Sequence, residues 1–90
     1  MPAPTVPGFG ILLRETRKRE GLSQTQLADY LGISKSKVSK LESGANKPPA
    51  DPAFYDRLEN IRGFTVLDVA RLRVVAAYDR SLEEGKKVIE

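Results

Sequence analysis

Ninety residues with 15 Lys/Arg against 12 Asp/Glu, and with neither cysteine nor histidine, suit one small domain with a thin core. Without cysteine there is no disulfide framework, thiol nucleophile or thiolate metal site, and without histidine the commonest general base and metal ligand is missing. The charge is uneven: residues 1–50 carry eight Lys/Arg against four Asp/Glu, and residues 51–90 carry seven against eight, which points the N-terminal half at a polyanion and gives the C-terminal half a different task.

Residues 1–8 hold three of the six prolines and a glycine, and are expected to form a flexible arm. Arms that enter a DNA groove carry Arg or Lys, and this one carries neither. It also lacks the basic-then-apolar order of a signal peptide, and apolar runs elsewhere are too short to span a bilayer, so a cytoplasmic chain without membrane contact is expected.

A first helix is expected over residues 9–20, with Phe9, Leu12 and Leu13 at core spacing and Gly21 as its end. Arg14, Arg17, Lys18 and Arg19 make its remaining face basic. Ser23 followed by Gln26 is a capping box that starts a second helix at Gln24. Leu27, Ala28 and Leu31 continue it at helical spacing until Gly32 allows a left-handed end. Ile33 is an apolar plug in the turn, Ser34 a good N-cap, and a third helix runs from Lys35 to Ser43 before Gly44 stops it.

In that third helix only Val38 and Leu41 are apolar at core spacing. Three lysines and three serines fall within residues 34–40, a face of donors and cations that suits phosphates and base edges better than the mixed signs of an ordinary solvated surface. Two short helices with a glycine turn between them, the second strongly polar, read as a DNA-reading helix-turn-helix.

Leu22, Ser23, Gln24, Leu27, Ala28, Leu31, Gly32, Ile33, Ser34, Val38, Ser39, Leu41, Glu42, Gly44 and Pro48 carry a resemblance to the lambda-repressor/Cro-like superfamily, also called the Xre family, over about residues 9–61. It implies an all-α, compact five-helix lambda-repressor-like DNA-binding domain. Lys35 to Ser43 would then be the recognition helix in the major groove. The resemblance aligns Arg17 with an arginine that pairs with the glutamate at the end of the recognition helix, here Glu42, as a structural ion pair.

Phosphate contacts are expected from Gln24, Ser34, Lys37, Asn46, Lys47 and Arg14. Gln24 sits where free N–H groups and the positive end of a helix dipole hold an oxygen. Asn46 and Lys47 lie in the stiff, proline-rich loop ANKPPADP that the family uses against the backbone. Base reading falls to Lys35, Ser36, Ser39 and Lys40, with guanine expected near the two lysines.

Asp51 before Pro52 is an N-cap with proline at the first helical position, so a fourth helix is expected over residues 52–61, facing the core with Phe54, Leu58 and Ile61, while Tyr55 is placed as a residue at the core edge or, alternatively, as part of a dimer contact. Gly63 breaks it and Thr65 caps a long fifth helix from residue 66 to about 84, after which Gly85 to Glu90 are expected to fray. Leu67, Ala70, Val74, Tyr78 and Leu82 form one apolar stripe there, while Val66, Val69, Ala76, Leu72 and Val75 broaden it. A helix apolar around much of its circumference needs two partners, so the stripe is expected to be a dimer interface.

The expected organisation is thus a flexible arm (1–8), a helix-turn-helix DNA-binding domain (9–62) and a C-terminal dimerisation helix (63–90). The expected function is a dimeric repressor of the phage Cro or immunity-repressor type that reads an inverted repeat in double-stranded DNA. The alternative is an antitoxin that binds both its operator and a toxin protein. A coactivator would dock on RNA polymerase through Asp56, Glu59 or Glu83. Neither catalytic residues nor a cofactor or metal is expected, because no paired carboxylates, glycine-rich phosphate loop or Ser–Lys pair can be argued.

Overall fold

Short-range capping chemistry sets where most helices begin. The computed structural model describes residues 8–89, with side chains as far as Ser81, and contains α1 (Phe9–Arg19), α2 (Gln24–Leu31), α3 (Lys35–Ser43), α4 (Pro52–Glu59) and α5 (Val66–Ile89). The expected arm, apart from Gly8, and the side chains of Leu82 and Glu83 lie outside the described residues.

At α2 the Ser23 hydroxyl accepts the Gln26 N–H at 3.0 Å and the Gln26 carboxamide accepts the Ser23 N–H at 2.8 Å. Ser34 accepts the Lys37 N–H at 3.1 Å to start α3, and Asp51 accepts the Ala53 N–H at 3.0 Å to start α4. Thr65 and Asp68 cap each other's N–H groups at 3.0 Å to start α5. Gly32 and Gly44 end α2 and α3 with φ of +69° and +86°, angles that a side chain would strain.

Helix ends differ from expectation in three places. α1 stops at Arg19, with Glu20 as its C-cap. α4 stops at Glu59, and a tight turn in which the Ile61 N–H bonds to the Leu58 carbonyl at 3.1 Å still delivers Ile61 to the core. α5 continues past the expected fraying point to Ile89; one glycine costs only about 1 kcal/mol in a helix interior, too little to stop a long one.

One cluster forms the core, with Phe9 and Leu13 from α1, Leu27 and Leu31 from α2, Val38 and Leu41 from α3, and Phe54, Tyr55 and Leu58 from α4. Phe9, Phe54 and Tyr55 meet at ring separations of 5.1–6.4 Å, two of the three pairs edge-on, a favoured geometry for aromatic quadrupoles. Leu12, expected at the core, is only partly buried beside it. α5 adds Val69, Leu72, Val75 and Ala76 to the same cluster.

Further ties hold α5 to the rest. Asp79 accepts the Phe9 N–H at the start of α1 at 2.9 Å, where Gly8 offers no side-chain cap. Arg19 at the other end of α1 makes two bonds to Asp68, of 2.6 and 3.1 Å. The opposite side of α5 has no cover among the described residues: Val66, Leu67, Val74 and Tyr78 are 59–75% exposed, and Ala70 and Ala77 between them are exposed too.

Candidate nucleic-acid interface

α3 turns three residues inward, Val38, Leu41 and Glu42. At 100° per residue this leaves Ser36, Ser39 and Lys40 pointing away from the core, with Lys35 and Lys37 at the two margins of that face, and all five are exposed. The four residues expected to read bases therefore share one open helix face. Its lysines and serines offer N–H and O–H donors, and no acid is exposed on it, because Glu42 is turned inward and buried.

The buried Glu42 carboxylate is the joint of the motif. Arg17 Nε and Nη2 donate to its two oxygens at 2.6 and 2.9 Å, and Arg17 Nη1 also donates to the Leu22 carbonyl at 2.8 Å. The pair is nearly dry, with side chains 9% and 3% exposed. Such a fork-to-fork contact has a fixed geometry, so it sets the angle between α1 and the end of α3.

The structure places Gln24 differently from the expectation. Its Nε2 donates to Glu42 Oε1 at 3.0 Å, so one of the carboxamide donors expected at a phosphate is engaged inside the protein. The Gln24 carboxamide keeps a second amide hydrogen, and the first N–H groups of a helix have no partner within it. Nothing in the spacing of Gln24 and Glu42, 18 residues apart, marks this contact.

Lys37, Asn46 and Lys47 come together around one hollow, floored by Leu41, Ala45 and Pro49. The Ser34 hydroxyl oxygen accepts in its cap, which leaves the hydroxyl hydrogen to donate. Arg14 is exposed on α1, outside both that hollow and the Glu42 network. Arg19, another basic residue of the first helix, is bound to Asp68, Glu20 and the Gly63 carbonyl. Its guanidinium holds the Asp68 carboxyl well below the usual carboxylate range, with the Thr65 bonds acting in the same direction and desolvation against them.

Two residues important to this geometry carry no signal in the sequence. Gly10 lies where a Cβ would sit 2.5 Å from the carbonyl oxygens of Leu41 and Glu42, so α1 crosses the end of α3 at backbone contact; a glycine near a helix start carries no such message by itself. Pro49 is the other. Its carbonyl accepts from Tyr55 Oη at 2.6 Å and from Arg80 Nη1 at 2.7 Å. Burial pushes the Tyr55 phenol up, against the pull of the Arg80 and Arg73 guanidinium groups.

Among known proteins, a family model described as a helix-turn-helix domain matches residues 9–84, which includes most of α5 as well as the motif. A Bacillus subtilis (strain 168) protein described as the uncharacterized HTH-type transcriptional regulator RghRB is 44% identical over 50 residues, 56% of this chain and 35% of that protein. The chain thus spans about a third of the length of this curated relative. No solved structure matches it. The inward Val38, Leu41 and Glu42, the outward lysines and serines and the match over residues 9–84 agree, and the chain belongs to the helix-turn-helix family, in its Xre-like, DNA-binding form.

Proposed function

We propose that this chain is a dimeric, sequence-specific transcriptional repressor that reads an inverted-repeat operator through α3. The observation that carries the reading is the division of α3 into a buried side ending in the Arg17–Glu42 fork and an exposed side of Lys35, Ser36, Ser39 and Lys40. Lysine donates to guanine O6 and N7, and serine bonds to several base edges. Arg14, Gln24, Ser34, Lys37, Asn46 and Lys47 contact phosphates and set the register without reading sequence.

The uncovered face of α5, Leu67, Ala70, Val74 and Tyr78 with Leu82 continuing its spacing, supports pairing with the same helix of a second copy. A two-fold pair presents two recognition helices to successive major grooves, about 34 Å apart on one duplex face. Repression then follows from occupancy, by covering a promoter against RNA polymerase.

The test is selection of bound duplexes from a random pool by the purified chain, at low and moderate salt. An enriched inverted repeat is expected. Salt-sensitive binding with no enriched sequence would reduce the function to phosphate attraction, and a chain that binds no duplex but captures a small partner protein through α5 would favour the antitoxin reading.

A further inference from the structure

The loop between α3 and α4 is anchored at its two ends by local bonds. The Asn46 N–H returns to the Lys40 carbonyl at 3.1 Å, and Asp51 is committed to the cap of α4. Between them Pro48 and Pro49 have no N–H to donate. Among the described residues, both hydrogen bonds that reach residues 47–50 from elsewhere end on the Pro49 carbonyl, one from Tyr55 and one from Arg80.

The two donors have different foundations. Tyr55 is fixed in the core by its edge contacts with Phe9 and Phe54, and the Arg73 guanidinium lies over its ring at 5.4 Å. Arg80 comes from α5, 31 residues along the chain from Pro49, and its bond is partly buried and charge-assisted, the stronger kind. With one donor only, the carbonyl could turn about the Tyr55 hydroxyl; with two, its direction is fixed.

We propose that Arg80 is a positioning residue for DNA binding, holding the loop so that Asn46 and Lys47 meet the phosphate backbone. The inference rests on the DNA-binding reading above. Arg80 acts through the Pro49 carbonyl and not by a contact of its own with nucleic acid. It makes the seating of α5 a determinant of the phosphate contacts, and the opposite face of that helix is the one assigned to the second copy.

The experiment uses the full chain and a mixed-sequence duplex, with dissociation constants measured across a salt series and amide exchange followed at Ala45, Asn46 and Lys47. Arg80→Met is expected to weaken binding about three- to tenfold, to flatten the salt dependence by nearly one in log–log slope for each phosphate that the loop no longer neutralises, and to speed exchange of the loop amides. Arg80→Lys, which can still donate to Pro49, is expected to recover part of each change. Arg71→Met removes the same charge from an exposed position of α5, and is expected to leave loop exchange unchanged and to shift binding less.

A structural role alone would lower the melting temperature of Arg80→Met without altering the salt slope. An unchanged slope, unchanged loop exchange, or equal effects from Arg71→Met would overturn the inference while leaving DNA binding intact. A wild-type chain that binds no duplex at low salt would overturn the DNA-binding reading and the inference together.

Discussion

Glu42 receives three side-chain donors on two oxygens in a nearly dry setting. Removing it by Glu42→Ala strands the Arg17 guanidinium and leaves Gln24 without its acceptor. Breaking one partner of a buried pair costs about 3–5 kcal/mol, so the thermal midpoint should fall by roughly ten degrees or more, on the order of 4–8 °C per kcal/mol for a domain of this size. An unchanged midpoint would mean that water replaces the pair without penalty. Gly10→Ala tests another single atom. Alanine favours a helix by about 1 kcal/mol, yet here its Cβ meets backbone oxygens that cannot step aside; a net destabilisation of about 1–3 kcal/mol in denaturant melts is expected, and a stabilised variant would show that α1 and α3 can separate freely. At the DNA face, Lys35→Ala and Lys40→Ala are each expected to weaken binding to the selected operator by about 1–3 kcal/mol, with a smaller effect on a mixed-sequence duplex. Equal losses on both would reassign these lysines to the phosphates.

At the scale of elements, α5 is the helix with two different faces. Its inner side enters the common core and two of its carboxylates tie it to α1, Asp68 to Arg19 near the start and Asp79 to the Phe9 N–H further along. The Asp68 carboxyl is held well below its ordinary range, first by the Arg19 bond. A carboxyl with a depressed folded-state pKa adds stability above its unfolded pKa of about 3.9, and that stability is lost as pH falls from there toward the folded value. Asp68→Asn should therefore lower the midpoint at neutral pH, and the gap between the two proteins should narrow below about pH 4. A gap that stays constant down to about pH 2 would show that the bond's neutral geometry, not its charge, is what matters.

For the whole molecule, the decisive question is what covers the outer side of α5. Val74 is 69% exposed at the middle of that apolar face. Val74→Asp changes a side chain that lies mostly in solvent, so it should leave the monomer folded, shift sedimentation from dimer to monomer and weaken operator binding, since each half-site would then be bound separately. A dimer that persists would place the two-fold contact elsewhere. The same variant with an unchanged thermal midpoint at high dilution would establish that the substitution acts between chains and not within one.

How far the sequence reached follows from the distance over which its signals act. Ser23 with Gln26, Ser34, Asp51 before Pro52, and the left-handed glycines 32 and 44 act within four residues, so the extent of α2 and α3 and the starts of α4 and α5 were legible, together with the polar face of α3. Periodicity likewise announced apolar residues on more than one side of α5, and the outer ones, Leu67, Val74 and Tyr78, lie exposed. Tertiary structure alone decided the rest: Gln24 on Glu42, Gly10 against α3, Arg19 on Asp68, Asp79 at the start of α1, and two donors on Pro49, the hydrogen-bonded pairs among these lying up to 70 residues apart. A hydrogen bond between distant residues has no local pattern to betray it. It exists because packing brings one donor and one acceptor to within about 3 Å, and only the folded chain specifies which.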